Sequence, residues 1–297
     1  MRRRVAVVLV CLAAVLAACD GGGAVGSDEP CRGLAPGRSE HGFFSGGVRR
    51  RYLLYVPETA EARPRPLIVT MHGYGASAAA HLDYTRAETA AERHDVLVLA
   101  PMGFGQPASF DLFGSRDVAF VTAAVDHVAR RTCVDLSRVY ATGMSNGAAM
   151  AAVLACRSPG TFAAIAPVAA IVYPADMCAG RPPAPVMAFM GTADPIVPFG
   201  GGAVTCCGGW SVAPAPDAMQ HWARHNGCDE LARDEPYAGG VTRRSWSNCD
   251  EGVETVFYVV DGGGHTWPGA SAAPSLGATT RAVDATSAIW EFFARTR

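Results

Sequence analysis

The sequence predicts an α/β fold: a mostly parallel central sheet with helices on both faces. Two observations carry that expectation. Short apolar runs such as Pro66-Leu67-Ile68-Val69-Thr70-Met71 and Val96-Leu97-Val98-Leu99 alternate with longer segments of helical period, and strands buried on both faces read as unbroken apolar runs. Residues 139–154 then pass from a β-branched run through Gly143-Met144-Ser145-Asn146-Gly147 into an Ala-rich segment, which is the order strand, tight turn, helix.

Taken from the N-terminus, residues 1–18 begin with Arg2, Arg3 and Arg4 and continue as an apolar run, so they read as an export signal too short for a comfortable membrane span. Leu16-Ala17-Ala18-Cys19 resembles the bacterial lipoprotein box, which implies a lipidated Cys19 and membrane contact through that lipid alone. Residues 20–38 are rich in Gly, Ser, Asp and Pro, so 19–47 are expected to form a tether and lead-in, with a single catalytic domain over 48–297.

Within that domain the expected elements are a strand over 49–57 stopped by Pro57, a buried strand over 66–71, and a helix over 77–93 with Ser77 as its N-cap. A strand over 96–99 follows, then an amphipathic helix over 117–131 that gathers Val118, Val121, Ala124, Val125 and Val128 on one face. A strand over 138–142 leads into the Ser145 turn and a helix to 156. Beyond it come strands over 162–169 and 186–190, a helix over 214–226, a strand over 253–260 and a closing helix over 280–295.

Composition narrows the chemistry. All 25 basic side chains are Arg, which excludes a Schiff-base lysine, a phosphate-binding P-loop lysine and a Ser-Lys dyad. A formal charge of −2 argues against nucleic acid as a partner. Of the ten cysteines, Cys11 and Cys19 belong to the export segment. The remaining eight suit disulfides in an oxidising compartment, and no C-x-x-C spacing suggests zinc. Cys228 and Cys249 bracket a hairpin-like excursion and are the expected pair, whereas the adjacent Cys206 and Cys207 are expected to reach different partners.

In a parallel sheet, ligands lie beyond the carboxyl ends of the strands, so residues just after a strand matter most. Ser145, Asp194 and His265 all hold such positions, in the chain order of an α/β-hydrolase triad. Serine is a poor nucleophile until an imidazole takes its proton, and the imidazole needs a carboxylate on its other nitrogen. Asp176 and Asp261 compete for the carboxylate role, and His221 with His225 forms an i, i+4 pair that lacks the glutamate of a metalloprotease motif. The N–H groups of Asn146 and Tyr74 are the expected oxyanion donors. His72, Trp210 and Trp267 are candidates for substrate contact, the tryptophans by stacking and His72 as a brace for its loop. No metal or cofactor is expected.

Five ordered motifs carry a family resemblance: Arg51-Tyr52-Leu53-Leu54-Tyr55-Val56-Pro57, Met71-His72-Gly73-Tyr74-Gly75, Arg138 to Gly147, Gly191-Thr192-Ala193-Asp194 and Gly264-His265-Thr266-Trp267-Pro268-Gly269. Together they resemble the polyhydroxybutyrate depolymerase and feruloyl esterase group, which includes acetylxylan esterases of the first carbohydrate esterase family. The resemblance implies cofactor-free ester hydrolysis with Ser145, Asp194 and His265 as the triad. Ala148 departs from the second glycine found in many relatives, and the chain ends soon after its closing helix, so soluble or oligomeric esters are expected over crystalline polyester. The expectation is an exported, monomeric serine esterase. Its rivals are acyl transfer to a cell-envelope acceptor and a non-catalytic surface binding protein on a hydrolase scaffold.

Overall fold

Strands β1 (Gly37–Ser45), β2 (Val48–Val56), β3 (Arg65–Met71), β4 (Leu97–Pro101), β5 (Val134–Met144), β6 (Ala164–Val168) and β7 (Val186–Gly191) precede a short pair, β8 (Gly202–Ala203) and β9 (Ser211–Val212). β10 (Arg233–Ala238), β11 (Val241–Trp246) and β12 (Thr255–Val260) follow. The helices are α1 (Ala78–Thr85), α2 (Ala87–His94), α3 (Arg116–Ala129), α4 (Asn146–Arg157), α5 (Ala175–Cys178), α6 (Ala215–His225) and α7 (Ala285–Arg295). The computed structural model describes residues 34–58, 63–207 and 209–296; the export segment read over 1–18 and Cys19 lie outside them.

Ten strands form one sheet in the order β1-β2-β4-β3-β5-β6-β7-β12-β11-β10. The six from β4 to β12 run parallel, and antiparallel pairs close both sides. Every residue of β3, β4, β6 and β7 is buried, because helices cover both faces. Successive residues alternate between two cores. Val139 and Ala141 of β5 pack with Phe120, Leu154 and Trp222 on one side, while Tyr140 packs with Leu82, Phe292 and Phe293 on the other.

Several expectations need correction. The lead-in over 19–47 contains β1, which pairs along its whole length with β2. Gly46 and Gly47 both take positive φ, 58° and 79°, and reverse the chain between the two strands. Phe43 then packs against Tyr52 and Phe120, so the fold starts well before residue 48. The helix expected over 77–93 is two helices. Ser77 does cap the first, accepting from the Ala80 N–H, but Arg86 sits at φ 54° and ends α1. Its guanidinium donates to Gly269 O (2.9 Å) and pairs with Asp284, so a long-range tie outweighs the continuous helical pattern. The closing helix begins at Ala285, where the Asp284 side chain accepts from the Ser287 N–H.

Disulfides join Cys156 to Cys178, between α4 and α5, and Cys228 to Cys249, across the base of the β10–β11 hairpin. Cys133 is also disulfide-bonded. Cys206 and Cys207 bond to each other, contrary to expectation. Their Cα atoms are 3.8 Å apart, the spacing of consecutive residues, and Cys207 turns its side chain back by taking φ 67°.

A charged pair lies inside the sheet's first third. Arg50 of β2 and Asp117 of α3 are almost wholly buried and meet at 2.5 Å, with the Arg50 guanidinium 3.9 Å above the Phe120 ring. Asp117 also accepts from the Asp111 N–H (2.7 Å) and so fixes the loop that follows β4. At the far edge, β10 carries Arg233, Asp234 and Glu235 followed by Pro236, and its register slips between Pro236 and Ala238.

Candidate active site

The sheet's central strand, β5, ends at Met144, and the chain reverses at once into α4. Ser145 makes that reversal at φ 57°, ψ −118°, a backbone that side chains other than glycine rarely adopt. The flanking glycines are required by contact. A Cβ on Gly143 would lie 2.5 Å from Met71 O, and one on Gly147 would lie 2.1 Å from the same atom. The turn is therefore pressed against the end of β3. The Ser145 N–H donates to Val168 O (2.9 Å), tying the serine to β6 on its other side.

Asp194 follows β7 and is buried. Its Oδ1 accepts from the Ile196 and Val197 N–H groups, both at 2.8 Å, and its Oδ2 lies 2.8 Å from His265 Nδ1. Two backbone hydrogen bonds to one carboxylate oxygen fix the direction of the other toward His265. Nδ1 faces that carboxylate and donates to it, which leaves Nε2 free to accept a proton. The loops themselves are laced together. Ala193 N–H donates to Gly263 O (2.9 Å), while Gly264 and His265 donate to Ala278 O (2.8 Å) and Leu276 O (2.7 Å). A Cβ on Gly264 would stand 2.3 Å from Leu276 O, so this strap needs glycine. Of the competing carboxylates, Asp261 accepts from Thr192 Oγ1 (3.2 Å) and Asp176 lies on α5.

Ser145 and His265 line one cleft. Among the described residues Ser145 Oγ makes no hydrogen bond to another protein group, and it opens on this cleft. Beside it, the Asn146 N–H lies in the first turn of α4, where donors have no intrahelical partner, and the Tyr74 N–H is likewise unused among the described residues. Gly73 brings the Tyr74 loop close, since its added Cβ would be 3.4 Å from Ser145 Cβ.

Two substrate-contact candidates are corrected. His72 is 1 % exposed. The Gly103 N–H donates to its Nε2 (2.9 Å), so Nδ1 carries the proton and donates to Gly73 O (2.7 Å). Burial holds this imidazole below its ordinary pKa, against the opposing pull of the Gly73 carbonyl. His72 thus braces two loops and faces no cleft. Trp267 is 2 % exposed, although it is two residues from His265. Its indole N–H donates to Thr286 Oγ1 (2.9 Å) and its ring meets His81 edge-on, so α1 and α7 enclose it. Trp210 does line a cleft.

Ser145 stands between two hollows. One, of about 260 Å³, is lined by Asn146, Phe110, Leu112, Phe113, Val204 and Trp210; the other, of about 420 Å³, by His265, Gly73, Ala80, His81, Tyr84, Ile196 and Leu276. Sequence reading missed the residues that shape the first. The Asn146 side chain accepts from the Phe110 N–H (2.7 Å) and donates to Phe110 O (3.1 Å), so it clamps the wall loop to the Ser145 turn. An Asn after the serine was the available signal. His221 and His225 are absorbed in packing, His221 stacked on Tyr173 and His225 Nε2 donating to Pro182 O (3.0 Å). Among the described residues no group of three or more His, Cys, Asp or Glu is placed to hold a metal ion.

Comparison with known proteins places the chain in a family. A family model described as Esterase PHB depolymerase matches residues 50–200. A protein of Nocardia uniformis subsp. tsuyamanensis named as an esterase, NocK, is 33 % identical over 248 residues, covering 75 % of this chain and 72 % of the relative. A protein of Aspergillus niger named as a feruloyl esterase C is 28 % identical over 272 residues, covering 87 % of this chain and 90 % of the relative. An acetyl xylan esterase structure from Aspergillus awamori superposes with a TM-score of 0.64 at 16 % identity, over 86 % of this chain and 99 % of that one, which shows a shared fold.

Proposed function

Since this chain belongs to the Esterase PHB depolymerase family and is a carboxylic ester hydrolase, we propose that it acts as an exported serine esterase through Ser145, His265 and Asp194. The observation that carries the proposal is the 2.8 Å contact of His265 Nδ1 with a carboxylate already held by two backbone donors, in a cleft that also contains the serine. His265 Nε2 takes the Ser145 Oγ proton as Oγ attacks the ester carbonyl. The carbonyl oxygen becomes an anion facing the Tyr74 and Asn146 N–H groups; losing one such donor costs about 3–4 kcal/mol in barrier height. The C–O bond to the alcohol then breaks, and Nε2 returns the proton to the departing oxygen. Water, deprotonated by the same nitrogen, attacks the acyl-enzyme, and Ser145 leaves with the proton as the acid is released.

The proton's destination assigns the hollows. The departing alcohol must lie beside His265, in the larger one, so the acyl group enters the smaller, aromatic one. Substrates of this reading are feruloyl or acetyl esters of plant polysaccharide, or hydroxybutyrate oligomers, in line with the names of the relatives. Disulfides among the described residues support export, and lipidation at Cys19 remains part of the proposal. A fluorophosphonate probe labels the wild type and not Ser145→Ala in this reading; equal labelling of both sinks it. A panel of methyl ferulate, acetylated xylan and hydroxybutyrate oligomers, compared by kcat/KM, ranks the substrates.

A further inference from the structure

Apart from Ser145 and Tyr74, only Cys206 and Cys207 among the described residues line both hollows. Their disulfide therefore stands between the acyl side and the alcohol side of the nucleophile. Such a bond has little to offer the fold as a whole. A cross-link stabilises mainly by closing a loop in the unfolded chain, and a bond between neighbours closes almost none. Its effect is local: it fixes the peptide between the two residues, holds Cys207 in the left-handed region, and presents two apolar sulfurs that cannot rotate apart.

The loop that carries it is a strut. β8 pairs with β9 at its base, and the Val204 N–H donates to Trp210 O (2.9 Å). Thr205 donates from its N–H to Ile196 O and from its Oγ1 to Pro195 O, both at 3.0 Å. Those carbonyls belong to the turn whose Ile196 and Val197 N–H groups hold Asp194. The disulfide is thus anchored on the same turn that orients His265.

On the esterase reading given above, we propose that the Cys206–Cys207 disulfide is a rigid partition that determines specificity, setting how large a group each side of the scissile ester accepts. Two free side chains in its place can swing into either hollow and erase the boundary.

The test is kcat/KM for two ester series, 4-nitrophenyl acetate, butyrate and octanoate for the acyl side, and methyl, phenyl and benzyl butyrate for the alcohol side. Cys206→Ser with Cys207→Ser shifts the octanoate-to-acetate ratio or the benzyl-to-methyl ratio by about tenfold, the effect of one misfitted methylene in a closed pocket. The remote pair Cys228→Ser with Cys249→Ser leaves both ratios within about twofold of wild type, the scatter allowed to a site outside the pocket. Unmoved ratios in the folded Cys206/Cys207 variant, with a lowered Tm alone, make the bond a brace and overturn the proposal. If that variant does not fold, Thr205→Pro keeps the disulfide but removes both donors, the N–H and the Oγ1 hydroxyl, that tie it to the Asp194 turn; shifted ratios support the partition and unmoved ones overturn it. A wild type inert toward every ester and unlabelled by fluorophosphonate overturns the esterase reading and the partition with it, whereas an active wild type with unmoved ratios overturns the partition alone.

Discussion

Asp117→Ala is the most informative single perturbation of the scaffold. The Arg50 and Asp117 side chains are 1 % and 0 % exposed, so removing the carboxylate leaves a guanidinium inside the protein with no counter-charge at 2.5 Å. Breaking a buried pair from one side costs about 3–5 kcal/mol. The Asp111 N–H loses its acceptor as well, for about 1 kcal/mol more. A total of about 4–6 kcal/mol is a large share of the roughly 5–15 kcal/mol that holds a typical domain together. Urea unfolding, followed by fluorescence and by far-ultraviolet circular dichroism, measures the loss. Replacing both partners with apolar residues, Arg50→Met with Asp117→Leu, recovers most of it, because no charge is then stranded. A loss below about 1 kcal/mol in the single variant refutes the reasoning, since it places the pair in the solvent-screened class.

The site and its surroundings give three further expected outcomes. Asp194→Asn lowers kcat by about 10⁴-fold with a small change in KM, because the imidazole loses its fixed tautomer; a drop under about tenfold in steady-state assays assigns the carboxylate role elsewhere. Gly147→Ala drives a methyl onto Met71 O and destabilises by about 3 kcal/mol, with loss of fluorophosphonate labelling; normal labelling shows that the turn can shift. His81 is held neutral by burial, with His72 nearby as a smaller cause, and its pKa is pushed down from 6.5 to about 3. The unfolded chain therefore binds this proton first as pH falls, so its share of stability is intact above 6.5 and drains away toward about 3. The slope from this group approaches about 1.4 kcal/mol per pH unit, and urea titrations of His81→Gln show that slope removed; an unchanged slope refutes it.

Local periodicity and strand ends made part of the molecule legible in its sequence. The apolar runs of β3, β4 and β7 announce a doubly covered sheet, and Ser145, Asp194 and His265 each lie where such a sheet presents its residues. The illegible features depend on partners far along the chain. Arg86 breaks a helix that its neighbours would continue, because Gly269 and Asp284 lie within its reach. Trp267 sits beside a catalytic candidate yet points into α1 and α7, and nothing in its flanking residues marks that direction. β1 was obscured by a composition rich in Gly and Ser, although it fills one edge of the sheet with Phe43 against the core. The Cys206–Cys207 bond was hidden by a sound rule about Cα spacing, to which one left-handed residue is the exception.

The outer strand β10 has a consequence for how this protein lives among its own copies. An open sheet edge is a template on which further strands can grow, and a ten-stranded sheet has two of them. Pro236 offers no N–H, Arg233, Asp234 and Glu235 place charge along the rim, and the slipped register bends the ladder just beyond them. A neighbour arriving at this edge finds a broken row of donors behind a hydrated, mixed-charge fringe. At high concentration, copies that meet along this edge then lie side by side without joining their sheets into one growing ribbon.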